Sequence, residues 1–133
     1  MLTIGIKGSA EVLVTADITA REVGSGTVAV LATPMMIALM EKTCLLSVRP
    51  FLEEGQDTVG THVDVSHTAA TPVGMTVRCE SELIEIDRRR LVFRVTARDD
   101  AGIVGEGRHE RFVIDTAKFQ AKARMRNSEN VAQ

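Results

Sequence analysis

Alternating apolar and polar residues, with a period of two, predict five β-strands along the chain. The first is expected within residues 12–18 and the other four beyond residue 57. Those four run from Thr58 to about Thr68, from Met75 to Ile86, from Leu91 to Ala97 and from Ile103 to Asp115. Turn-forming residues separate them at ATPVG (70–74), DRRR (87–90) and DDAG (99–102).

A different pattern lies between the first two strands. Residues 33–48, TPMMIALMEKTCLLSV, are apolar around most of a helical circumference, which predicts one long buried helix. Thr33 is expected as its N-cap, with Pro34 at the first helical position. Pro50 disfavours helical geometry in the residue before it, so the helix should end near Arg49.

This order of elements predicts the fold class. A strand, a long helix and then four strands in meander order give an α+β protein with a mostly antiparallel sheet. The length of 133 residues suits a single domain, 1–133, with a core at about 10–115 and a basic tail at 116–133.

Glu41 is unusual within the helix because it lies in the middle of the apolar stripe. Its neighbours three, four and seven positions away on the helix carry no charge. On the strand that follows, strict alternation places Val59, Thr61, Val63, Val65 and His67 on the face towards the helix, and His62 on the other face. A carboxylate and an imidazole on core-facing surfaces are candidates for general acid–base chemistry.

Composition narrows the function classes. The net charge is −2, with no Trp or Tyr and only four Phe, which gives no reason to expect nucleic-acid binding. No apolar run is long enough for a membrane span, and no secretory signal is visible at the N-terminus. Two cysteines, Cys44 and Cys79, suit core positions in a reducing cytoplasm, and no spacing of ligands predicts a metal site.

Three segments of the chain resemble the fluoroacetyl-CoA thioesterase family of the hotdog-fold thioesterases. They are ATPMMIALMEKTC (32–44), VGTHVDVSHTAATPVGM (59–75) and GEGRHERFVI (105–114). The resemblance implies a sheet of about five strands around one central helix, and hydrolysis of an acyl-CoA thioester in a tunnel between two subunits. It implies Thr33, Glu41 and His67 as the catalytic set, with coenzyme A as part of the substrate and no metal or redox cofactor.

For several other positions the sequence leaves more than one structural or functional role open. Glycines inside strand patterns, Gly60 before Thr61 and then Gly105–Gly107, predict a bulge or close backbone approach, with Gly60 and Thr61 as substrate contacts or as tight packing. Arg111 is expected to pair with a carboxylate, to touch the ligand or to form a surface salt bridge. His109 is expected at the surface or in a hydrogen bond. The basic residues of the tail would meet the phosphates of coenzyme A or remain solvated; they are Lys118, Lys122, Arg124 and Arg126.

The acyl group is expected to differ from fluoroacetyl. The family enzyme carries a longer, aromatic-bearing segment before the central helix, whereas residues 21–32 here are REVGSGTVAVLA, without Phe. We therefore expect a short-to-medium acyl-CoA preference. A non-catalytic acyl-CoA binder and a hotdog dehydratase or hydratase are the alternative functions. The apolar helix, which a one-layer sheet covers only in part, predicts at least a homodimer and leaves a tetramer open.

Overall fold

One long helix packs against a five-stranded antiparallel sheet in the computed structural model of this chain. The structure describes residues 1–132, with side chains as far as residue 127. The strands are β1 (Lys7–Leu13), β2 (Gln56–His67), β3 (Thr76–Asp87), β4 (Arg90–Asp99) and β5 (Gly102–Asp115). The helices are α1 (Ala20–Val23), the long α2 (Thr33–Val48) and the C-terminal α3 (Thr116–Ala132). The predicted α+β class is confirmed.

The strands lie in the order β1-β3-β4-β5-β2, so the predicted four-strand meander is wrong for β2. Only β3, β4 and β5 are consecutive neighbours, and β2 pairs with β5 at the opposite edge from β1. The β2–β3 connection is not a hairpin, because β2 and β3 are not neighbours in the sheet. Thr71 within this connection is buried and donates to the Asp99 carboxylate at 2.8 Å. That contact holds the chain across the end of the sheet.

The first strand begins and ends earlier than the alternation predicted, and only residues 12 and 13 belong to both the predicted and the observed strand. β1 stops at Leu13, and Ala16–Ile18 form a short 3₁₀ turn instead of continuing the strand. Thr15 donates to the Asp17 carboxylate, and Thr19 donates its hydroxyl to the carbonyl of Ala16 at 2.8 Å. These local side-chain bonds compete with strand pairing and turn the chain towards α2.

A bulge in β2 changes which of its residues face α2. The register against β5 shifts between Gly60 and His62, which confirms the irregularity predicted at Gly60. The strict alternation placed Val59 and Thr61 on the inner face, and this was wrong. Thr58 is buried, and Gly60 approaches the helix; the unpaired Thr61 restores the odd-numbered positions to that side beyond it.

The core lies between the sheet and one face of α2. From the helix it takes Met36, Leu39, Met40, Cys44 and Val48, and from the sheet a set that includes Phe93, Leu83, Leu91 and Val95. The opposite face of α2 is open in the single chain, where Leu46 is 42% exposed. The helix was expected to be buried on all sides, and in the single chain it is not.

The two cysteines are core residues, as the sequence predicted. Cys44 and Cys79 are buried and free. Burial and, to a smaller extent, the neighbouring Cys79 raise the pKa of the Cys44 thiol to about 12, so the thiol stays protonated at neutral pH.

The C-terminal tail is helical as far as Ala132, and Gln133 lies outside the described residues. Its basic residues are exposed; they are Lys118, Lys122, Arg124 and Arg126. None of the helices in residues 1–132 is both long and apolar enough to cross a membrane.

Candidate active site

Thr33 and His67 meet where α2 begins and β2 ends. Ala32, and not Thr33, is the N-cap of α2, so Thr33 is the first helical residue and makes no capping bond with its side chain. The predicted N-cap is therefore wrong by one position. The hydroxyl oxygen of Thr33 lies 2.7 Å from Nδ1 of His67 instead.

His67 is held in a form that can exchange a proton. Burial lowers the pKa of its imidazole, so the ring is neutral at pH 7. Its Nε2 atom is buried and has no hydrogen-bond partner within the described residues. With Nδ1 engaged by Thr33, Nε2 is the ring atom left for a reacting group.

A cleft of about 290 Å³ opens beside this pair. The segment before α2 forms one wall with small and aliphatic side chains, and the start of the β2–β3 connection forms the other. Its lining consists of Ala20, Ser25, Val30, Leu31, Thr33, His67, Thr68, Ala69 and Ala70.

Glu41 lies two turns further along α2 and differs from the prediction in its surroundings. Its side chain is 43% exposed in the single chain, and its carboxylate is 3.9 Å from Nη1 of Arg111. The sequence analysis had instead predicted a Glu41 carboxylate buried among uncharged helix neighbours. The charged partner was invisible in the helix because it comes from β5, seventy residues away in sequence.

Arg111 is a buried residue and not part of a surface salt bridge. It is 6% exposed, its Nε donates to the Thr58 hydroxyl at 2.8 Å, and its Nη2 donates to the Thr58 carbonyl at 2.9 Å. Its Nη1 is 3.1 Å from Nε2 of His109. Burial lowers the pKa of this guanidinium, which remains charged, and Glu41 opposes the shift.

His109 and Thr58 belong to this cluster, and the sequence analysis placed neither of them in the site. His109 is 1% exposed, so of its two predicted settings the hydrogen-bonded one is confirmed and the surface one is wrong. The alternation of β5 carried a usable signal, since His109, Arg111 and the apolar Val113 fall on one face. Thr58 gave none, because its inward position depends on the bulge that follows it.

Gly60 leaves space for the carboxylate. A Cβ atom at this position would lie 2.7 Å from Oε2 of Glu41 and 3.2 Å from Cε1 of His109. Close approach is therefore one reason for glycine here. Thr61 is exposed and donates its hydroxyl to the Glu110 carbonyl at 3.3 Å.

The structure thus brings α2 and β2 together at two points. Thr33 meets His67 at one, and Glu41 meets Gly60 and Arg111 at the other. No contact between Glu41 and His67 occurs in the described part of the single chain. Residues 1–127 also contain no group of three or more His, Cys, Asp or Glu arranged to hold a metal ion.

Comparison with known proteins identifies the family. The family described as fluoroacetyl-CoA-specific thioesterase matches residues 14–117. The chain belongs to this family. The fluoroacetyl-CoA thioesterase of Streptantibioticus cattleyicolor is 46% identical over 97 residues, which cover 73% of this chain and 70% of that protein. The predicted relationship, and with it the prediction of a thioester hydrolase, is confirmed.

Solved structures agree with this membership of the fluoroacetyl-CoA-specific thioesterase family. A fluoroacetyl-CoA thioesterase structure has a TM-score of 0.89 at 37% identity, covering 94% of this chain and 97% of the other. A thioesterase superfamily member from Thermus thermophilus has a TM-score of 0.90 at 32% identity, covering 98% and 97%. A hotdog-like protein from Thermanaerovibrio acidaminovorans, 21% identical with a TM-score of 0.84 over 92% and 91%, shares the fold. The hotdog fold is confirmed.

Proposed function

We propose that this thioesterase hydrolyses a short-to-medium acyl-CoA to the free acid and coenzyme A, with Thr33, Glu41 and His67 as its catalytic residues. The observation that carries the proposal is the 2.7 Å contact between Thr33 and a neutral, half-buried His67 beside an open cleft. A hydroxyl and an imidazole at the start of a helix suit acyl transfer, since the helix N-terminus favours the negative charge that develops on the thioester oxygen.

Two routes are compatible with these groups. In the direct route Glu41 accepts a proton from water, the water oxygen attacks the thioester carbon, and the C–S bond breaks. In the covalent route a Glu41 oxygen attacks that carbon and expels the thiolate, and water then hydrolyses the resulting anhydride. His67, neutral before the reaction, takes up the proton that the water loses, through Glu41 in the direct route and directly in the covalent route, and gives it to the departing thiolate.

Gly60, Thr61 and Arg111 are proposed to contact the substrate. Gly60 has no side chain to obstruct the approach to Oε2 of Glu41, and Arg111 directs a buried cation towards that carboxylate. Thr61 is the exposed residue of the bulge, and it has no partner residue on β5.

The acyl preference is proposed from the wall of the cleft. The segment before α2 lines the cleft with Ser25, Val30 and Leu31, and residues 21–32 contain no aromatic ring. Such a wall leaves room for chains longer than a two-carbon acid. A strong preference for fluoroacetyl-CoA over acetyl-CoA and butyryl-CoA would contradict this part of the proposal.

A homodimer is proposed as the working form. The exposed face of α2 carries Leu46, and β2 is a twelve-residue strand at an open sheet edge with Val63 40% exposed. Long apolar edge strands are normally covered. A second copy lying against β2 and α2 would enclose the half-exposed Glu41.

No metal or redox cofactor is proposed for the reaction, so hydrolysis is expected to survive treatment with a chelator. A cytoplasmic location is also proposed, and the two free core cysteines support it.

The deciding experiment follows thiol release from a panel of acyl-CoAs. Wild type is compared with Glu41→Ala and His67→Ala, and His62→Ala serves as the control because that histidine is exposed on the same strand. We expect each site variant to lose about a hundredfold in kcat or more, and the control to keep wild-type activity. If wild type releases no thiol but CoA esters raise its Tm, the chain is a binder. If the site variants keep full activity, the catalytic assignment is wrong.

A further inference from the structure

A chain of polar contacts runs from Glu41 into the core. The carboxylate faces Nη1 of Arg111 at 3.9 Å, Nη1 lies 3.1 Å from Nε2 of His109, and Nδ1 of His109 lies 2.8 Å from the carbonyl oxygen of His62. The middle of this chain is buried, since Arg111 is 6% and His109 1% exposed.

Hydrogen-bond chemistry fixes the protonation of His109. A guanidinium only donates, so Nε2 of His109 must accept from Arg111. A backbone carbonyl only accepts, so Nδ1 must carry the proton and donate to His62. Both partners are satisfied together by one species alone, the neutral imidazole protonated at Nδ1.

The imidazole of His109 fixes the one nitrogen of the Arg111 guanidinium that Thr58 does not hold. Thr58 holds Nε and Nη2 of Arg111 through its hydroxyl and its carbonyl. For Nη1, the nitrogen nearest Glu41, His109 supplies the hydrogen bond, because the carboxylate at 3.9 Å is beyond hydrogen-bond distance. His109 in turn is braced by Phe93, whose ring stacks on it at 6.5 Å between centroids.

We propose that His109 is a positioning residue for hydrolysis: as a neutral acceptor it holds Nη1 of Arg111 towards Glu41 and the reacting thioester. It does not touch the substrate. The inference rests on the proposed function, because Glu41 must take part in the chemistry for its charged partner to matter.

Protonation of His109 would break this arrangement. The cation would turn Nε2 into a donor that faces the positive Arg111. The charged groups around it are Arg111 and Glu110 on its own strand and Glu41 on α2; β2 contributes the His62 carbonyl, and β4 contributes the apolar Phe93. Burial lowers the pKa of His109, and Arg111 lowers it further, which keeps the acceptor form at neutral pH.

The kinetic test compares two substitutions of His109. His109→Leu keeps apolar bulk against Phe93 but removes the acceptor for Arg111, whereas the amide of His109→Gln can accept from Arg111 and donate to His62. We expect the Leu variant to lower kcat about tenfold to a hundredfold, in the range of a misplaced catalytic group, with KM within about threefold. The Gln variant should recover most of that loss, and His62→Gln, which leaves the backbone carbonyl in place, should match wild type.

The protonation of His109 is measured directly by ¹⁵N-detected NMR of the histidine rings. A wild-type ring that is neutral and protonated at Nδ1 at pH 7 is expected, and a ring protonated at Nε2 or at both nitrogens would overturn the inference. This reading does not depend on whether the Leu variant folds.

The outcomes of these experiments separate the positioning role of His109 from the proposed thioesterase function. An active wild type with His109→Leu at full kcat removes the positioning role and leaves the thioesterase intact. A wild type that hydrolyses none of the acyl-CoAs removes the proposed function and the role of His109 with it, even where the ring has the expected proton.

Discussion

Gly60 and Gly105 are both needed for close approach, but what they approach differs. An added Cβ at Gly60 meets the end of the flexible Glu41 side chain at 2.7 Å, whereas at Gly105 it meets Sδ of Met36 at 2.5 Å and the backbone oxygen of Ser66 at 2.7 Å. A flexible side chain can move aside, and a packed backbone cannot.

We therefore expect the two alanine variants to fail in different ways. Gly60→Ala should displace Glu41 and lower kcat about tenfold or more, with a smaller loss in the free energy of unfolding than Gly105→Ala shows. Gly105→Ala should lower the free energy of unfolding by about 1–3 kcal/mol through overpacking. Urea unfolding and thiol release measured on both proteins check this, and a Gly60→Ala enzyme with wild-type kcat would contradict the role of Glu41.

The two buried histidines make stability depend on pH. Burial holds the folded-state pKa of His67 and of His109 below the ordinary value of 6.5. As pH falls below 6.5 the unfolded chain binds protons that the folded chain does not, so the free energy of unfolding should fall. The hydrogen bond from Arg90 lowers the pKa of Glu110, and that contribution is lost only below about 4.5, its ordinary value.

Urea unfolding at pH 7.5 and at pH 5.5 measures this effect. We expect wild type to be less stable at pH 5.5, and His109→Gln to show a smaller difference between the two conditions because one of the two histidines is removed. An equal difference in both proteins would mean that His109 does not contribute.

At the scale of the elements, the bulge in β2 decides which residues face the site. Thr61 is the extra residue, because Gly60 pairs with Arg111 and His62 with the next residue, Glu110. Deletion of Thr61 would give a regular ladder in which the inner positions on either side stay inner.

The deletion variant should consequently fold and lose activity. We expect a Tm within a few degrees of wild type, and a kcat lowered about tenfold or more because the bulge orients Gly60 and the His62 carbonyl. Circular dichroism melting and thiol release check both parts. A deletion variant with full kcat would show that the bulge does not matter to the site.

Local chemistry made some elements predictable and left others out of reach. The bounds of α2, residues 33–48, followed from its apolar run and from Pro34 and Pro50. The position of β2 beside β5 did not follow, because alternation gives a strand its faces but not its partner. A carboxylate partner for Arg111 was among its predicted settings, and the structure shows that this partner is Glu41. The sequence could not choose between the settings, since the pair joins distant segments through a sheet order that no local pattern specifies.

At the scale of the whole molecule, the open face of α2 and the edge of β2 should be covered by a second copy. Leu46→Asp introduces a charge on that face without disturbing the core, because Leu46 is exposed in the single chain. We expect light scattering to give twice the mass of one chain for wild type and the mass of one chain for the variant, with thioesterase activity lost together with the dimer.

Ile103→Asp is the matched control for that substitution. Ile103 is 41% exposed, similar to Leu46, but lies at the start of β5 away from α2. It should remain dimeric and active. A monomeric wild type with full activity would remove the two-subunit site.

The outer face of the sheet gives little support for further stacking of dimers. Its side chains are largely charged, and Arg78 lies opposite Arg98, as Arg94 does opposite Arg108. Burying such a face would require these charged groups to lose their water. We expect the dimer to be the largest species in solution.

The two points at which α2 meets β2 also limit how the gene of this protein can change in length. Glu41 lies eight positions after Thr33, and each residue added to a helix turns every later side chain by about 100°. A one-codon insertion between them would keep one contact with β2 and rotate the other away. Functional descendants of this sequence should therefore gain and lose residues in the loops and at the termini, while the distance between these two positions stays fixed.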